Sequence, residues 1–310
     1  MSPINRRARD DLDRPGVVIF SGRRTFRMSQ ISAAAVKALR DRTNLPMMDC
    51  KNALVETNGD VEQAILKLRE KFKELQGSKF AGRETAEGRI AAYVDPVSRV
   101  AAIIEVRCES APVAKGEHFV QLCNDLAQQV ALKNPASVEK LLAQPFHADP
   151  TRTVQDRIND VIGLIRENMK PYRFKRFEGL CGAYVHHDGT VGTLLQVEGE
   201  KADPQILRDI CMHITAKNPP FLRREEVSAE VMAKEREIAL AQIKNDPKNA
   251  SKPANILEKI VEGKLKTWAS ENVLLEQPFV KDDTRTVSQV LQGQGVKLGQ
   301  VARLKVGELS

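Results

Sequence analysis

Gly88-Arg89-Ile90-Ala91-Ala92-Tyr93-Val94 returns 91 positions later as Gly179-Leu180-Cys181-Gly182-Ala183-Tyr184-Val185. Val100 and Val106 return at the same offset, as Val191 and Val197. Turn residues separate the β-rich runs, Asp95-Pro96 in the first copy and Asp188-Gly189 in the second, so each copy opens with a predicted β-hairpin. A repeat of this length fixes the organisation of the chain before any single element does. A helix follows in each copy. Residues 117–132 run into Lys133-Asn134-Pro135, and residues 205–216 into Lys217-Asn218-Pro219, an offset of 84. The second copy is therefore seven residues shorter, lacking the stretch around Ser110 to Gly116, which reads as a loop. Further on, Gln144-Pro145-Phe146 and Thr151-Arg152-Thr153-Val154 recur at an offset of 133 as Gln277-Pro278-Phe279 and Thr284-Arg285-Thr286-Val287. The second copy has gained an insertion between Pro219 and Gln277. Residues 228–244 are rich in Glu, Lys and Ala and read as helix; 245–255 read as a turn. Residues 256–268 return as helix with Leu257, Val261, Lys264, Leu265 and Trp268 on one face, making an antiparallel helical hairpin.

Ahead of the repeat lies a predicted three-helix unit. Ser32 is a good N-cap, with Ile31 and Val36 set as a hydrophobic staple. Pro46 suits a first helical turn, Asn58-Gly59 breaks the helix, and Asp60 caps the next, whose Val61, Ala64, Ile65 and Leu68 share a face. Lys71 to Gly82 is polar and reads as a linker. The fold class is α+β: an N-terminal bundle resembling a ubiquitin-associated domain, a duplicated α/β core of two related subdomains, and the inserted antiparallel helical hairpin. The expected boundaries are 1–28 for a disordered basic extension, 29–77 for the bundle and 83–176 for the first core subdomain. The second subdomain takes 177–225 and 270–310, and the hairpin 226–269.

Composition narrows the function. The chain has 310 residues and a net charge of +7, with 42% hydrophobic and 5% aromatic residues. Residues 1–27 hold seven Arg against three Asp, so more than half of the net charge sits there and the body is only weakly basic. That distribution, with few aromatics, argues against direct nucleic-acid binding. The acids at Asp10, Asp11 and Asp13 argue against a transit peptide, and Met28 stands as an alternative start. The five cysteines show no CxxC spacing, so neither a disulfide framework nor a zinc site is expected. No apolar run reaches membrane-span length. The reading is of a cytoplasmic protein, ahead of an organellar one, with no membrane partner. None of the histidines lies in a catalytic motif and no phosphate-binding loop occurs, so neither an enzyme, a cofactor nor a metal is expected. His186-His187 beside a turn lacks further ligands, and Cys50 reads as a buried helix residue.

Several separated segments resemble the elongation factor Ts family, the exchange factors of elongation factor Tu. They are Val36-Lys37-Ala38-Leu39-Arg40-Asp41-Arg42-Thr43 with Met47-Met48-Asp49-Cys50-Lys51-Asn52-Ala53-Leu54, and Glu105 through Lys115. Met212-His213-Ile214-Thr215-Ala216, Val227 through Val231, Val261-Glu262-Gly263-Lys264 and Gln277-Pro278-Phe279-Val280 follow in order. The resemblance implies a partner, elongation factor Tu, bound in its GDP and nucleotide-free states. It implies contacts to that partner's G domain from Arg40, Met47, Met48 and Lys51, and contacts from the second subdomain through His213, with Met169 a further match. Adjacent methionines point different ways on a helix, so at least one of Met47 and Met48 should be exposed. The family usually carries Thr-Asp-Phe-Val where this chain has Ser110-Ala111-Pro112-Val113; there the Asp and Phe disturb the partner's Mg2+ and phosphate site. Ala111 and Pro112 replace them here, so either Pro112 and Val113 still act as the apolar wedge or exchange leans on other contacts. The competing reading is a ubiquitin-like or peptide-binding adaptor built on the N-terminal bundle.

Overall fold

Val36, Leu39, Cys50, Ala53, Leu54, Ala64 and Leu68 close a small apolar core between α1 (Ala33–Thr43), α2 (Met47–Glu56) and α3 (Val61–Leu75). The computed structural model describes residues 31–43, 45–75, 80, 82–245 and 252–308. The expected extension 1–28, Met28 included, and the centre of the hairpin turn lie outside the described residues. Ile31 packs on this core beside Val36, and Ser32 accepts a hydrogen bond from Ala35 N–H. The stretch read as a linker starts later than expected: helix continues to Leu75, and Phe80 is buried in the next core.

The repeat is visible in strand register. β1 (Glu87–Asp95) pairs antiparallel with β2 (Val100–Cys108), and β6 (Leu180–Val185) with β7 (Val191–Glu198). Ala92 opposes Ile103 and Tyr93 opposes Ala102; 91 residues on, Ala183 opposes Leu194 and Tyr184 opposes Thr193. A third antiparallel strand completes each sheet, β5 (Met169–Glu178) beside β2 and β10 (Lys297–Lys305) beside β7. Both third strands shift register at matching places, at Glu105/Val106 and between Leu195 and Val197. The molecule is thus a mixed α+β chain with small antiparallel sheets.

α5 (Glu117–Lys133) covers the first sheet and α8 (Pro204–Lys217) the second. Each helix stops in a left-handed Asn, Asn134 at φ 43° and Asn218 at φ 45°. Asn tolerates that conformation, and the Pro that follows cannot continue a helix. The short helix α6 (Val138–Ala143) and the hairpin of β3 (Pro145–Phe146) and β4 (Asp149–Thr153) then lead into α7 (Val154–Ile165). In the second copy β8 (Pro278–Phe279) and β9 (Asp282–Thr286) lead into α11 (Val287–Gly293). Thr153 with Asp156 and Thr286 with Gln289 both form reciprocal capping boxes. α9 (Ala229–Lys244) and α10 (Ala254–Asn272) pack on each other through Ala239, Ile243 and Val261.

The faces of the two sheets that turn away from α5 and α8 meet each other. Ile90, Ala101, Ile103 and Phe177 pack there with Leu194 and Leu304. Ile90 N–H also donates to Gly189 O at 2.7 Å, tying β1 to the β6–β7 turn. β2 is consequently buried on both sides, which is why Val100 to Ile104 reads as an unbroken apolar run rather than an alternation.

A second expectation is corrected. Ser110 to Gly116 is not a loop: Ala111–Lys115 forms a short helix, α4, with no counterpart in the second copy. Pro112 sits in its first turn, where a missing N–H costs nothing, and Gly116 ends it.

Candidate functional site

α2 starts at Met47 and places Met48 and Lys51 along its outer surface. Met47 is 51% and Met48 62% exposed, so both adjacent methionines face solvent. The inward positions are taken by Cys50, Ala53 and Leu54. Arg40, on the last turn of α1, is exposed, as is Lys51. Burial pushes the Cys50 thiol above its ordinary range, which suits an inert core residue.

The Ser110–Val113 segment is held by its neighbours. Ser110 N–H and Oγ–H donate to the two oxygens of Glu167, at 3.1 and 2.6 Å. In return Asn168 N–H donates to Glu109 at 2.5 Å, and Asn168 Nδ2 to Arg83 O at 2.9 Å. Ser110 therefore spends its hydroxyl on a carboxylate, a charge-assisted bond, and its side chain does not cap α4. Cys108 beside it donates to Ser110 O, and burial first, then the Glu167 charge, pushes its thiol up to about 12. Ala111 and Pro112 are exposed on α4. Val113 is half-buried and packs against the first core, so its side chain points partly inward.

The two patches are joined. Arg166 follows α7 and donates Nη2 to Asp49 Oδ2 on α2 at 2.5 Å; Lys71 holds the other oxygen at 3.0 Å. Glu167 is the next residue. Asp49, Arg166 and Glu167 thus connect the Met48 surface to the Ser110 segment. Sequence reasoning missed both links, because Asp49 and Arg166 are 117 residues apart, Ser110 and Glu167 are 57 apart, and no motif spans either separation.

His213 and Met169, the other two residues for which the resemblance implies partner contact, are both buried. Met169 is 1% exposed and lies in the first core. His213 is fully buried on α8, with Nε2 2.8 Å from Gln277 Oε1 while Nδ1 accepts from Val280 N–H at 3.2 Å. A neutral ring protonated on Nε2 satisfies both bonds. Burial lowers its pKa, as the retained neutral form requires. The reason for its burial is the repeat. Gln129, 84 residues earlier, is likewise buried, donates to Gln144 Oε1 at 3.1 Å and accepts from His147 N–H at 2.7 Å. The helix–Gln-Pro-Phe clamp is the same in both copies, and the offset of 84 was the signal that could have found it. As they stand, neither His213 nor Met169 offers side-chain surface to a partner.

Among the described residues, no group of three or more His, Cys, Asp or Glu side chains is arranged to hold a metal ion, and no helix is long and apolar enough to cross a membrane.

A family model described as Elongation factor TS matches residues 112–308. The chain is similar to a protein of Trichlorobacter lovleyi named Elongation factor Ts, 39% identical over 285 residues, covering 89% of this chain and 90% of that relative. A relative of the same name from Clostridium perfringens is 40% identical, covering 87% of this chain and 88% of its own length. Another, from Methylococcus capsulatus, is 41% identical, with 90% of this chain and 92% of that protein aligned.

Proposed function

The chain belongs to the elongation factor Ts family, a family of translation elongation factors, and from that premise we propose that it is a guanine-nucleotide exchange factor acting on elongation factor Tu. In this reading it binds Tu–GDP and the nucleotide-free protein, and performs no bond chemistry of its own. Holding the empty state more tightly than the GDP state must weaken GDP by the same coupling free energy. The site is the cytoplasmic partner's Mg2+ and phosphate region, approached by α4 and α2.

The observation that supports this most directly is the polar connection between the exposed Arg40, Met47, Met48 and Lys51 surface and the Ser110–Val113 segment, through Asp49, Arg166 and Glu167. Exposed methionines provide adaptable apolar contact, and Arg40 and Lys51 add charge beside them. With Ala111 and Pro112 outward and Val113 turned to the core, the wedge in this chain is Pro112 on a rigid helical turn. His213 and Met169 act from inside, His213 by holding the Gln277–Val280 turn. The division into bundle, two core subdomains and hairpin, with boundaries near 77, 177, 226 and 269, belongs to the same proposal.

The test is release of a fluorescent GDP analogue from the cognate elongation factor Tu. Catalytic amounts of this protein should accelerate it strongly, and Ala111→Asp with Pro112→Phe should leave the rate intact or raise it. No acceleration, together with target binding by residues 29–77 alone, would favour the adaptor reading instead.

A further inference from the structure

Three consecutive residues at the α7–β5 junction reach three different parts of the molecule. Arg166 pairs with Asp49 of the bundle, Glu167 takes both donors of Ser110, and Asn168 meets Glu109 and Arg83. We propose that Arg166 is a positioning residue: it sets the angle of the N-terminal bundle against the core so that the α2 surface and the start of α4 act as one face. This rests on the exchange-factor reading for its purpose, though not for its geometry.

The backbone is the first argument. Arg166 has φ 68° and ψ 28°, left-handed, at the position after a helix where Gly or Asn is usual. A long cationic side chain is the wrong choice for that conformation unless the side chain is used. The second argument is the boundary it crosses. Between α1 and α3 on one side and α7 and β4 on the other lies a cavity of about 210 Å³, lined by Arg42, Arg69, Arg152 and Asp160 together with Leu45 and Leu68. A contact with such a cavity is not close-packed throughout, so an ion pair that crosses it, Arg166–Asp49, can help to set its angle. The third is Asp49 itself. It is only 16% exposed, sits between Met48 and Lys51 in sequence, and divides its oxygens between Arg166 and Lys71. Moving Arg166 therefore moves the helix that carries Met48.

Arg166→Gly tests this, because Gly accepts the left-handed backbone while the bridge to Asp49 is lost. Arg166→Lys keeps the charge. In the full chain, the glycine variant should melt as the parent does. Hydrogen exchange in α1–α3 should quicken several-fold, and the factor concentration giving half-maximal GDP release should rise several-fold with the maximal rate less affected. The lysine variant should recover most of both, and high salt should make the parent resemble the glycine variant. Unchanged hydrogen exchange in α1–α3 on Arg166→Gly overturns the proposal, as does failure of Lys to rescue. The hydrogen-exchange arm needs no partner. If the parent fails to release GDP, the functional reading falls while this arm still decides the coupling.

Discussion

At the scale of single residues, His213 and Val113 show how burial redirects a role. His213 is neutral in the fold, and its pKa lies below the ordinary imidazole value because of burial first, with Lys217 acting the same way and the Gln277 bond opposing. The folded state then binds fewer protons than the unfolded chain below about pH 6.5. Stability from this site is complete above that pH, falls as pH drops through it, and levels off below the depressed folded value. His213→Gln should copy the Gln129 arrangement, keep most of the stability and reduce the acid-side slope in denaturant melts across pH. The slope should not vanish, because burial lowers His147 as well. His213→Ala should cost about 1–3 kcal/mol by leaving Gln277 and the Val280 N–H short of a partner. Val113→Ala should lower the protein's own stability by about 1 kcal/mol, since that side chain packs on the core. Pro112→Ala, at an exposed position, should leave melting nearly unchanged and slow GDP release. If Val113→Ala melts like the parent while Pro112→Ala does not, the assignment of inward and outward sides of α4 is reversed.

At the scale of elements, the hairpin has two separate apolar layers. Its base packs Val227, Ala269 and Val273 with Phe221 and Trp268, and Arg224 pairs there with Glu276. Its outer part packs Ala239, Ile243 and Val261, and an Arg236–Glu258 pair crosses it. A cut at about 225 and 270 would strip the base and expose Phe221. Replacing residues 236–264 with a short Gly-containing turn should instead keep one cooperative transition. Circular-dichroism melting that loses cooperativity in the shorter protein would show that the outer layer supports the core. α4 makes a related point. Its five residues span little more than one helical turn, too short to hold together on propensity alone, and a stretch with Ser and Pro near its start reads equally well as a turn. What makes it helical is the Glu167 carboxylate fixing Ser110 and the burial of Ala114.

At the scale of the whole molecule, the two sheets share one interior, so the halves should not melt apart. Ile103 lies fully buried between them. Ile103→Ala should cost about 2–5 kcal/mol and lower a single transition seen equally in both halves by hydrogen exchange; two resolved transitions would contradict a shared core. Much of this was legible in the chain. The offset of 91 held in strand register because a β-hairpin is local: its turn and its alternation fix its pairing. Asn134 and Asn218 ended their helices for the same kind of reason, through the conformational tolerance of one side chain followed by Pro. Cys50 could be read as a buried position of its helix because helical spacing is short-range. Sequence alone did not decide which sheet face meets which, because Ala101 to Ile104 is apolar on both faces and either could have taken α5. Nor did it reveal that His213 is buried, since the same histidine could stand outside unless Gln277, 64 residues away, is brought to it. The Asp49–Arg166 and Ser110–Glu167 bridges, across 117 and 57 residues, belong to the same class. Local patterns carry the energies that form elements, whereas pairings between distant polar groups have no periodicity to announce them and exist only once packing has fixed the distances.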